Sequence, residues 1–387
     1  MYNIMTLNKI AAIGTDNFDT AKYNVCDTHE NPEAIMVRSA SMHEMEFGSN
    51  LLAIARAGAG TNNIPVDKCV ENGICVFNTP GANANAVKEL VLAGLLLSSR
   101  KVPDAMNWVK GLKGNGDEVG KLVEKGKGQF VGPEIMGKTL GIIGLGAIGV
   151  LVANAAVALG MKVMGFDPFL SVKAAWSLSP SVINAKSMAE IYANCDYITI
   201  HVPYNAETKG MINAASIGTM KDGVRILNFA RGELVNDTDM IAALESGKAS
   251  CYVTDFPTDA VIGVDGVVAI PHLGASTPES EDNCAYMAAI ELIEYIEKGN
   301  IKNSVNLPDA EMDAAGTKIC VIHKNVPSTI SQFTAALGSE KINIENMLNK
   351  SRKDYAYTMM DVSGDVTDKI VDMLMSVDGV IKVRVIK

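Results

Sequence analysis

The chain has 387 residues, too many for one ordinary core, so two or three domains are expected. Hydrophobic residues at 48% and charged residues at 20% describe a folded protein, and a formal net charge of −10 argues against nucleic acid as a partner, because that role needs a basic face. No apolar run reaches the roughly 18 residues of a membrane span, and residues 1–14 lack a basic segment followed by a secretory core, so neither export nor a membrane partner is expected. Seven cysteines, odd in number and never in a C-x-x-C pair, read as reduced and mostly buried, which fits a reducing cytoplasm.

In chain order, residues 9–13, 33–37, 51–55 and 74–77 read as strands, several of them joined by connections long enough for crossover helices. Polar or glycine-rich stretches follow the last three: Arg38 and Ser39, then Arg56 through Asn63 with Gly58 and Ala59, then Asn78 with Thr79 and Pro80. In an open α/β sheet the carboxyl ends of strands line the ligand crevice, so these residues are candidates for ligand contact. Residues 83–100 form a long helix with apolar residues around most of its circumference. It is either a central core helix or a link between domains that also makes a dimer contact. Residues 111–133 are polar and glycine-bearing and read as a mobile surface excursion.

Residues 139–149 carry the strongest signal, an apolar strand that breaks into Gly144, Gly146 and Gly149 and restarts as a helix. In a G-x-G-x-x-G turn of this kind the first glycine allows the tight turn and the second lets the backbone approach a pyrophosphate. The third lets helix and strand pack closely. A helix over 150–159, a strand over 161–166 and then Asp167 complete the fingerprint, with the acid placed to hold a ribose 2′-OH. Pro168 and Phe169 follow Asp167, and no arginine stands there to receive a 2′-phosphate, so NAD is favoured over NADP.

Strands at 197–200, 224–227, 251–254 and 267–270 then lead into His201-Val202-Pro203, Asn228-Phe229-Ala230-Arg231-Gly232, Asp255 and Pro271-His272. His272 at such an edge is a candidate acid/base for taking an alcohol proton, and Arg231 is a candidate clamp for a substrate carboxylate. A carboxylate beside His272 would favour its imidazolium form; Asp255 and Asp259 are the candidates. A helix from Thr277 to a stop at Gly299 should carry the chain back to the first domain. Residues 308–316 read as a linker, and the last 70 or so residues as a separate ferredoxin-like βαββαβ unit.

Gly144 to Gly149, Asn228 to Val235 and Pro271 to Thr277 together resemble the D-2-hydroxyacid dehydrogenases. Within that family Val37-Arg38-Ser39, Arg56 to Gly60, Asn78-Thr79-Pro80 and the C-terminal module are similar to the branch that oxidises 3-phospho-D-glycerate to 3-phosphohydroxypyruvate, the first step of phosphorylated L-serine biosynthesis. The resemblance implies two doubly wound parallel-sheet domains, a flavodoxin-like substrate domain (1–95 and 280–310) and a Rossmann NAD domain (96–279), plus an ACT-like βαββαβ domain (316–387). It implies His272 as proton donor and acceptor, Arg231 on substrate, and Gly144, Gly146, Ala147, Ile148, Gly149, Asp167, Val202, Phe229, Ala230, Arg231, Asp255, His272, Gly274 and Ala275 on NAD. Arg38, Ser39, Gly58, Ala59 and Asn78 match the substrate side.

Relatives carry a glutamate about five residues after the aspartate matched by Asp255, but Ala260 stands there, with Asp259 one position early. Either Asp259 serves with a shorter arm or the loop is arranged differently. In the ACT-like unit, which binds amino acids at paired interfaces in regulated relatives, His323, Asn325 and Asn343 match serine-holding positions, although the usual glycine is Ser328. An L-serine effector and a homodimer or homotetramer follow from the resemblance; the alternative for the module is assembly without a ligand. Alternatives for the whole are a glyoxylate or hydroxypyruvate reductase of the same family and a dinucleotide-sensing corepressor.

Overall fold

The computed structural model describes residues 1–313 and 316–387. The chain forms two compact units, residues 1–83 with 278–387 and residues 84–277. The divisions fall at 83/84 and 277/278, so helix Ala84–Arg100 belongs wholly to the second unit, where the sequence suggested a boundary near 95.

In the first unit β1 (Tyr2–Leu7), β2 (Tyr23–Cys26), β3 (Ala34–Val37), β4 (Ala53–Arg56) and β5 (Cys75–Asn78) make a parallel sheet in the order β2-β1-β3-β4-β5. The strand expected at 9–13 is absent. The chain is extended earlier, in β1, where Tyr2, Ile4 and Thr6 suit a strand and β2 and β3 pair with it on both sides, and Ala12–Thr15 is a short helix instead. β3, β4 and β5 are almost wholly buried, as strands covered on both faces must be. Helix Pro278–Lys298 covers one face through Cys284, Ala288, Leu292, Tyr295 and Ile296.

The second unit holds β6 (Thr139–Ile143), β7 (Lys162–Phe166), β8 (Ile183–Asn184), β9 (Tyr197–Ile200), β10 (Val224–Asn228), β11 (Ala249–Thr254) and β12 (Val267–Ala269). They are parallel throughout, in the order β12-β11-β10-β9-β6-β7-β8. The strand order reverses between β6 and β9, the position where a doubly wound sheet opens a crevice at its carboxyl edge. Helix Ala84–Arg100 is a core helix of this unit: Val87, Val91 and Leu95 are buried with Leu140, Leu227 and Phe229. Residues 111–133, expected as a mobile excursion, contain helix Val119–Gly126 flanked by 3₁₀ turns, with no buried residue in any of them.

The C-terminal residues form a βαββαβ unit of antiparallel β13 (Thr317–Lys324), β14 (Asn343–Arg352), β15 (Tyr355–Ser363) and β16 (Val380–Ile386), in the order β14-β15-β13-β16. Alternation along the strands loads both faces. Ile319, Val321, Met360 and Val362 pack with Phe333, Leu337, Ile370 and Leu374 of its two helices. Cys320, Ile322, Tyr357 and Met359 join Phe77, Tyr295 and Leu307 in the core of the first unit. Polar contacts reinforce that join: Arg384 donates to the Tyr295 and Ile296 carbonyls, Arg352 to Ser304 O at 2.6 Å and Lys382 to Leu51 O at 2.7 Å.

The stretch read as a linker begins as packed structure, with Ala310 fully buried and bridged to Ile301. Ala314 and Ala315, within the same stretch, lie outside the described residues. Among the described residues no helix is long and apolar enough to cross a membrane.

Candidate active site

In the second unit the glycine turn after β6 is built as the fingerprint requires. Gly144 has φ +94°, and a Cβ there would stand 2.5 Å from the His201 carbonyl oxygen; at Gly149 a Cβ would collide with the Gly144 carbonyl. Both glycines are therefore demanded by the protein itself. Gly146 differs, because a Cβ on it would meet nothing within 4 Å. It is also the cap of helix Ala147–Ala158 with no side-chain hydrogen bond, which leaves amide donors of the first turn open to an anion.

Asp167, just past β7, accepts from Leu145 N and Phe169 N, both at 2.8 Å, one on each carboxylate oxygen. Its charge is thereby fixed beside the turn, with lone pairs left for a diol. On the other side of the strand-order reversal, after β9, His201 Nε2 lies 3.0 Å from Thr199 Oγ1. Its Nδ1 is buried without a partner, and loss of hydration pushes this imidazole down to about 4, so it is neutral at physiological pH. Val202 packs over the Gly144 turn.

Further along the same edge, Asn228 shapes the turn after β10: its side-chain amide donates to Arg231 O at 2.8 Å and accepts from Ala230 N at 3.2 Å. Arg231 is exposed and donates to Ala230 O at 2.6 Å, while Phe229 is buried. Asp255, at the end of β11, is only 1% exposed. Its Oδ2 accepts from Gly274 N at 3.3 Å, and Oδ1 has no partner. Burial raises its pKa, while the positive charges of His272 and Arg231 and the Gly274 amide pull it down. His272 is exposed, and its ring lies against Phe256 with centroids 4.6 Å apart. The structure thus brings Arg231, Asp255, His272 and Gly274 into one electrostatic neighbourhood. Asp259 is exposed and makes no hydrogen bond or ion pair among the described residues.

These features fit a dinucleotide. The open cradle at Gly146, the fixed acid Asp167 and the orphaned buried atoms of His201 and Asp255 are polar positions that the protein leaves unfilled at a sheet's ligand edge.

Residues 92–274 match the model of the D-isomer specific 2-hydroxyacid dehydrogenase NAD binding domain. The match covers just under half of the chain and points to NAD as the cofactor of this unit. The chain is also 35% identical to the D-3-phosphoglycerate dehydrogenase of Archaeoglobus fulgidus over 289 residues, which is 72% of this chain and 52% of that protein. It is 32% identical to the Bacillus subtilis D-3-phosphoglycerate dehydrogenase over 331 residues, 81% of this chain and 60% of that one. The chain thus spans somewhat over half the length of these relatives. Among solved structures, the NAD+-bound 3-phosphoglycerate dehydrogenase of Entamoeba histolytica superposes with a TM-score of 0.61 at 26% identity, covering 79% of this chain and 98% of that one.

The residues expected on the substrate side lie in the first unit, at the carboxyl edge of its sheet. There the polar groups are engaged with one another. Arg38 Nη2 is 2.6 Å from Glu281 Oε1, Ser39 N donates to Asn8 Oδ1 at 3.0 Å, and Asn78 Nδ2 donates to Ala59 O at 2.6 Å. Gly58, with φ +145°, lies under the Arg56 guanidinium, and Arg56 Nε donates to Arg38 O at 3.1 Å.

The three effector candidates of the C-terminal module are not gathered in one place. His323 is 2% exposed, with Nδ1 bonded to Lys324 O and Nε2 to Thr358 Oγ1, both at 2.8 Å. Asn325 Nδ2 donates to Lys353 O, and Asn343 Nδ2 to Glu345 Oε1. His323 pairs with Ala356 and Asn343 with Ser363 on β15, so they sit at opposite ends of the sheet, roughly 23 Å apart at about 3.3 Å per residue.

Phe256, Asn228, Arg56 and Glu281 were not singled out as site residues from sequence. Asn228 and Arg56 close strands within the stretches that carried the resemblance, a signal available from position alone. Phe256 follows Asp255 directly, but nothing in its spacing announces a stacking partner for a histidine, and Glu281 looks like any first-turn acid of a helix.

Proposed function

We propose that this chain is an NAD-dependent D-3-phosphoglycerate dehydrogenase that oxidises 3-phospho-D-glycerate to 3-phosphohydroxypyruvate. The observation that carries the reading is the cluster of His272, Asp255 and Arg231 on the edge that bears the NAD fingerprint. The names of the relatives supply the substrate class. His272 takes the proton of the substrate 2-hydroxyl, with its ring held against Phe256 and the Asp255 carboxyl close enough to feel its charge. Arg231 pairs with the substrate carboxylate, which orients the carbon that loses hydride. NAD, when bound, supplies the hydride acceptor. Arg38, Ser39, Gly58, Ala59 and Asn78 belong to the substrate side of this reading.

A place in L-serine biosynthesis, a cytoplasmic location and assembly as a homodimer or homotetramer go with the same proposal. So does feedback by L-serine, with one condition added. Because His323 and Asn343 are at opposite ends of one sheet, a site using both needs two copies of the module, and His323 must exchange at least one internal partner.

A second reading, reduction of an unphosphorylated 2-oxo acid such as glyoxylate or hydroxypyruvate, has one observation in its favour: Arg38, the residue ready for a phosphate, is paired with Glu281. Initial rates separate the two. The proposal expects NADH formation from 3-phosphoglycerate to exceed that from glycerate and lactate, and equal or better turnover of glyoxylate with NADH favours the second reading. The same assay with millimolar L-serine tests the feedback.

A further inference from the structure

Glu291 lies in the middle of helix Pro278–Lys298, only 6% exposed and in no ion pair among the described residues. A carboxyl group in such a place is expensive to keep unless something uses it. Its Oε1 accepts from Asn303 Nδ2 at 2.7 Å, and its Oε2 is buried without a partner. Asn303 has φ +60°, a left-handed backbone that the side-chain bond to Glu291 helps to hold. From that conformation the Asn303 carbonyl accepts from Asn78 N at 3.4 Å, and Asn78 in turn donates to Ala59 O at 2.6 Å.

The segment after Asn303 is locked alongside β5, so the contact is not a stray one. Ser304 bridges Phe77, Val305 N donates to Val76 O, and Asn306 exchanges bonds with Val76 N and Ile74 O.

We infer that Glu291 is a positioning residue for the substrate side: through Asn303 it sets the place of Asn78 and the loop at Ala59, and its protonated form is the one that does so. The inference rests on the reading that Asn78 and Ala59 face the substrate. Burial supports the second half, raising this carboxyl to about 8; Asp309 adds to the rise, while Asn303 and Lys302 oppose it. Cys75 on β5 also faces Glu291, and burial holds it in the thiol form. As pH climbs through the Glu291 value, a negative charge forms on a buried carboxylate whose Oε2 has no partner, and the helix and the Asn303 turn must shift to hydrate it.

The experiment compares the wild type with Glu291→Gln, Glu291→Leu and Asn78→Ala in the intact chain. In steady-state kinetics with 3-phosphoglycerate and NAD from pH 6.5 to 9, the wild type should show KM for 3-phosphoglycerate rising near pH 8 while KM for NAD stays flat. Glu291→Gln, which keeps an acceptor for Asn303 and cannot ionise, should remove that rise. Glu291→Leu should raise KM about three- to tenfold at every pH with little change in kcat.

Thermal unfolding reads the protonation without any activity. A carboxyl whose folded value lies above its unfolded one stabilises below the unfolded value, and that contribution is lost as pH rises through the folded value. Glu291→Gln should therefore match the wild type near pH 4.5 and become the more stable of the two by pH 8. Coincident melting curves across that range overturn the protonated state, and with it the inference. If Asn78→Ala raises KM for 3-phosphoglycerate and Glu291→Leu does not, the link from Glu291 to Asn78 is overturned. If neither raises it, the substrate reading of Asn78 has failed and the inference falls with it.

Discussion

The carboxyl edges of the two parallel sheets present their polar groups in opposite states. On the seven-stranded sheet Gly146 faces open space, Arg231 and His272 are exposed, and Asp255 Oδ1 and His201 Nδ1 have no partner. On the five-stranded sheet Arg38 is held by Glu281, Asn78 by Ala59 and the Ser39 amide by Asn8. The first edge is shaped in advance for a ligand, and the second is satisfied by its own residues until something displaces them. Pre-organisation lowers the cost of binding a large cofactor, whereas a latched edge makes binding depend on a ligand able to compete for the latch.

The comparison breaks most readily at His272, the exposed imidazole proposed above as the acid/base. His272→Asn should lower turnover by about 10²–10⁴ and leave NADH binding, followed by nicotinamide fluorescence, near the wild-type value. Turnover within a few-fold of wild type would mean that the exposed imidazole is a bystander and that the edge is merely open.

The glycines test the shape of the same edge with a paired control. Gly146→Ala adds a methyl where no protein atom stands, so it should weaken NAD binding by about tenfold or more while the melting temperature is unchanged. Gly149→Ala drives its methyl into the Gly144 carbonyl and should cost about 1–3 kcal/mol of stability. Equal losses of stability in the two variants would show that Gly146 serves the fold and not a ligand.

Asp255 and Asp259 test which carboxylate serves the edge. Burial raises Asp255, so its proton is held more tightly in the folded state than in the unfolded chain. The stability this group lends is complete below the unfolded carboxylate value and is lost as pH rises through the folded one. Asp255→Asn should therefore melt higher than the wild type above that window, by about 2–4 °C, and match it in acid. With the carboxyl facing His272 replaced by an amide, the pH–rate curve of the oxidation should differ from that of the wild type. Asp259→Asn, which removes no bond, should leave both curves in place. The reverse pattern would restore Asp259 as the partner of His272.

How much of this was legible in the sequence follows the physics of each part. The nucleotide turn was, because a tight turn, a close helix–strand approach and an open cradle each demand glycine at a fixed offset, and Asp167 follows one helix and one strand later. Arg231, Asp255 and His272 were placed by the rule that strand ends line the crevice, which needs only the strand pattern. β1 was missed although Tyr2, Ile4 and Thr6 suit a strand, because the apolar run at 9–13 competes with it locally and only the pairing with β2 and β3 decides between them. The join between the C-terminal module and the first unit was hidden too: a strand whose two faces are both buried shows Cys320, Ile322, Tyr357 and Met359 as ordinary alternation and does not say what will cover them. His323 shows the limit at one residue. It reads like an exposed ligand-holder by motif and turns out buried with both nitrogens bonded, because Thr358, its partner, arrives from another strand.

The smallest effect belongs to the latch on the five-stranded sheet. Arg38 and Glu281 have side chains 40% and 42% exposed, and ion pairs in that setting are worth only about 0.2–1 kcal/mol. On the proposed reading a phosphate or carboxylate with two charged oxygens would displace Glu281 at little cost, so the latch would tune affinity without blocking it. Glu281→Gln keeps the size of the side chain and removes its charge, so KM for 3-phosphoglycerate should fall by about two- to fivefold, the factor that such an energy corresponds to. KM for glyoxylate or hydroxypyruvate should not move, since neither carries the extra phosphate. Raising the salt from 50 to 500 mM should narrow the difference between Glu281→Gln and wild type, because screening weakens the pair in one and has no pair to weaken in the other. If instead KM rises in Glu281→Gln, the carboxylate is holding Arg38 in its working position, and the contrast between an open edge and a latched one no longer stands.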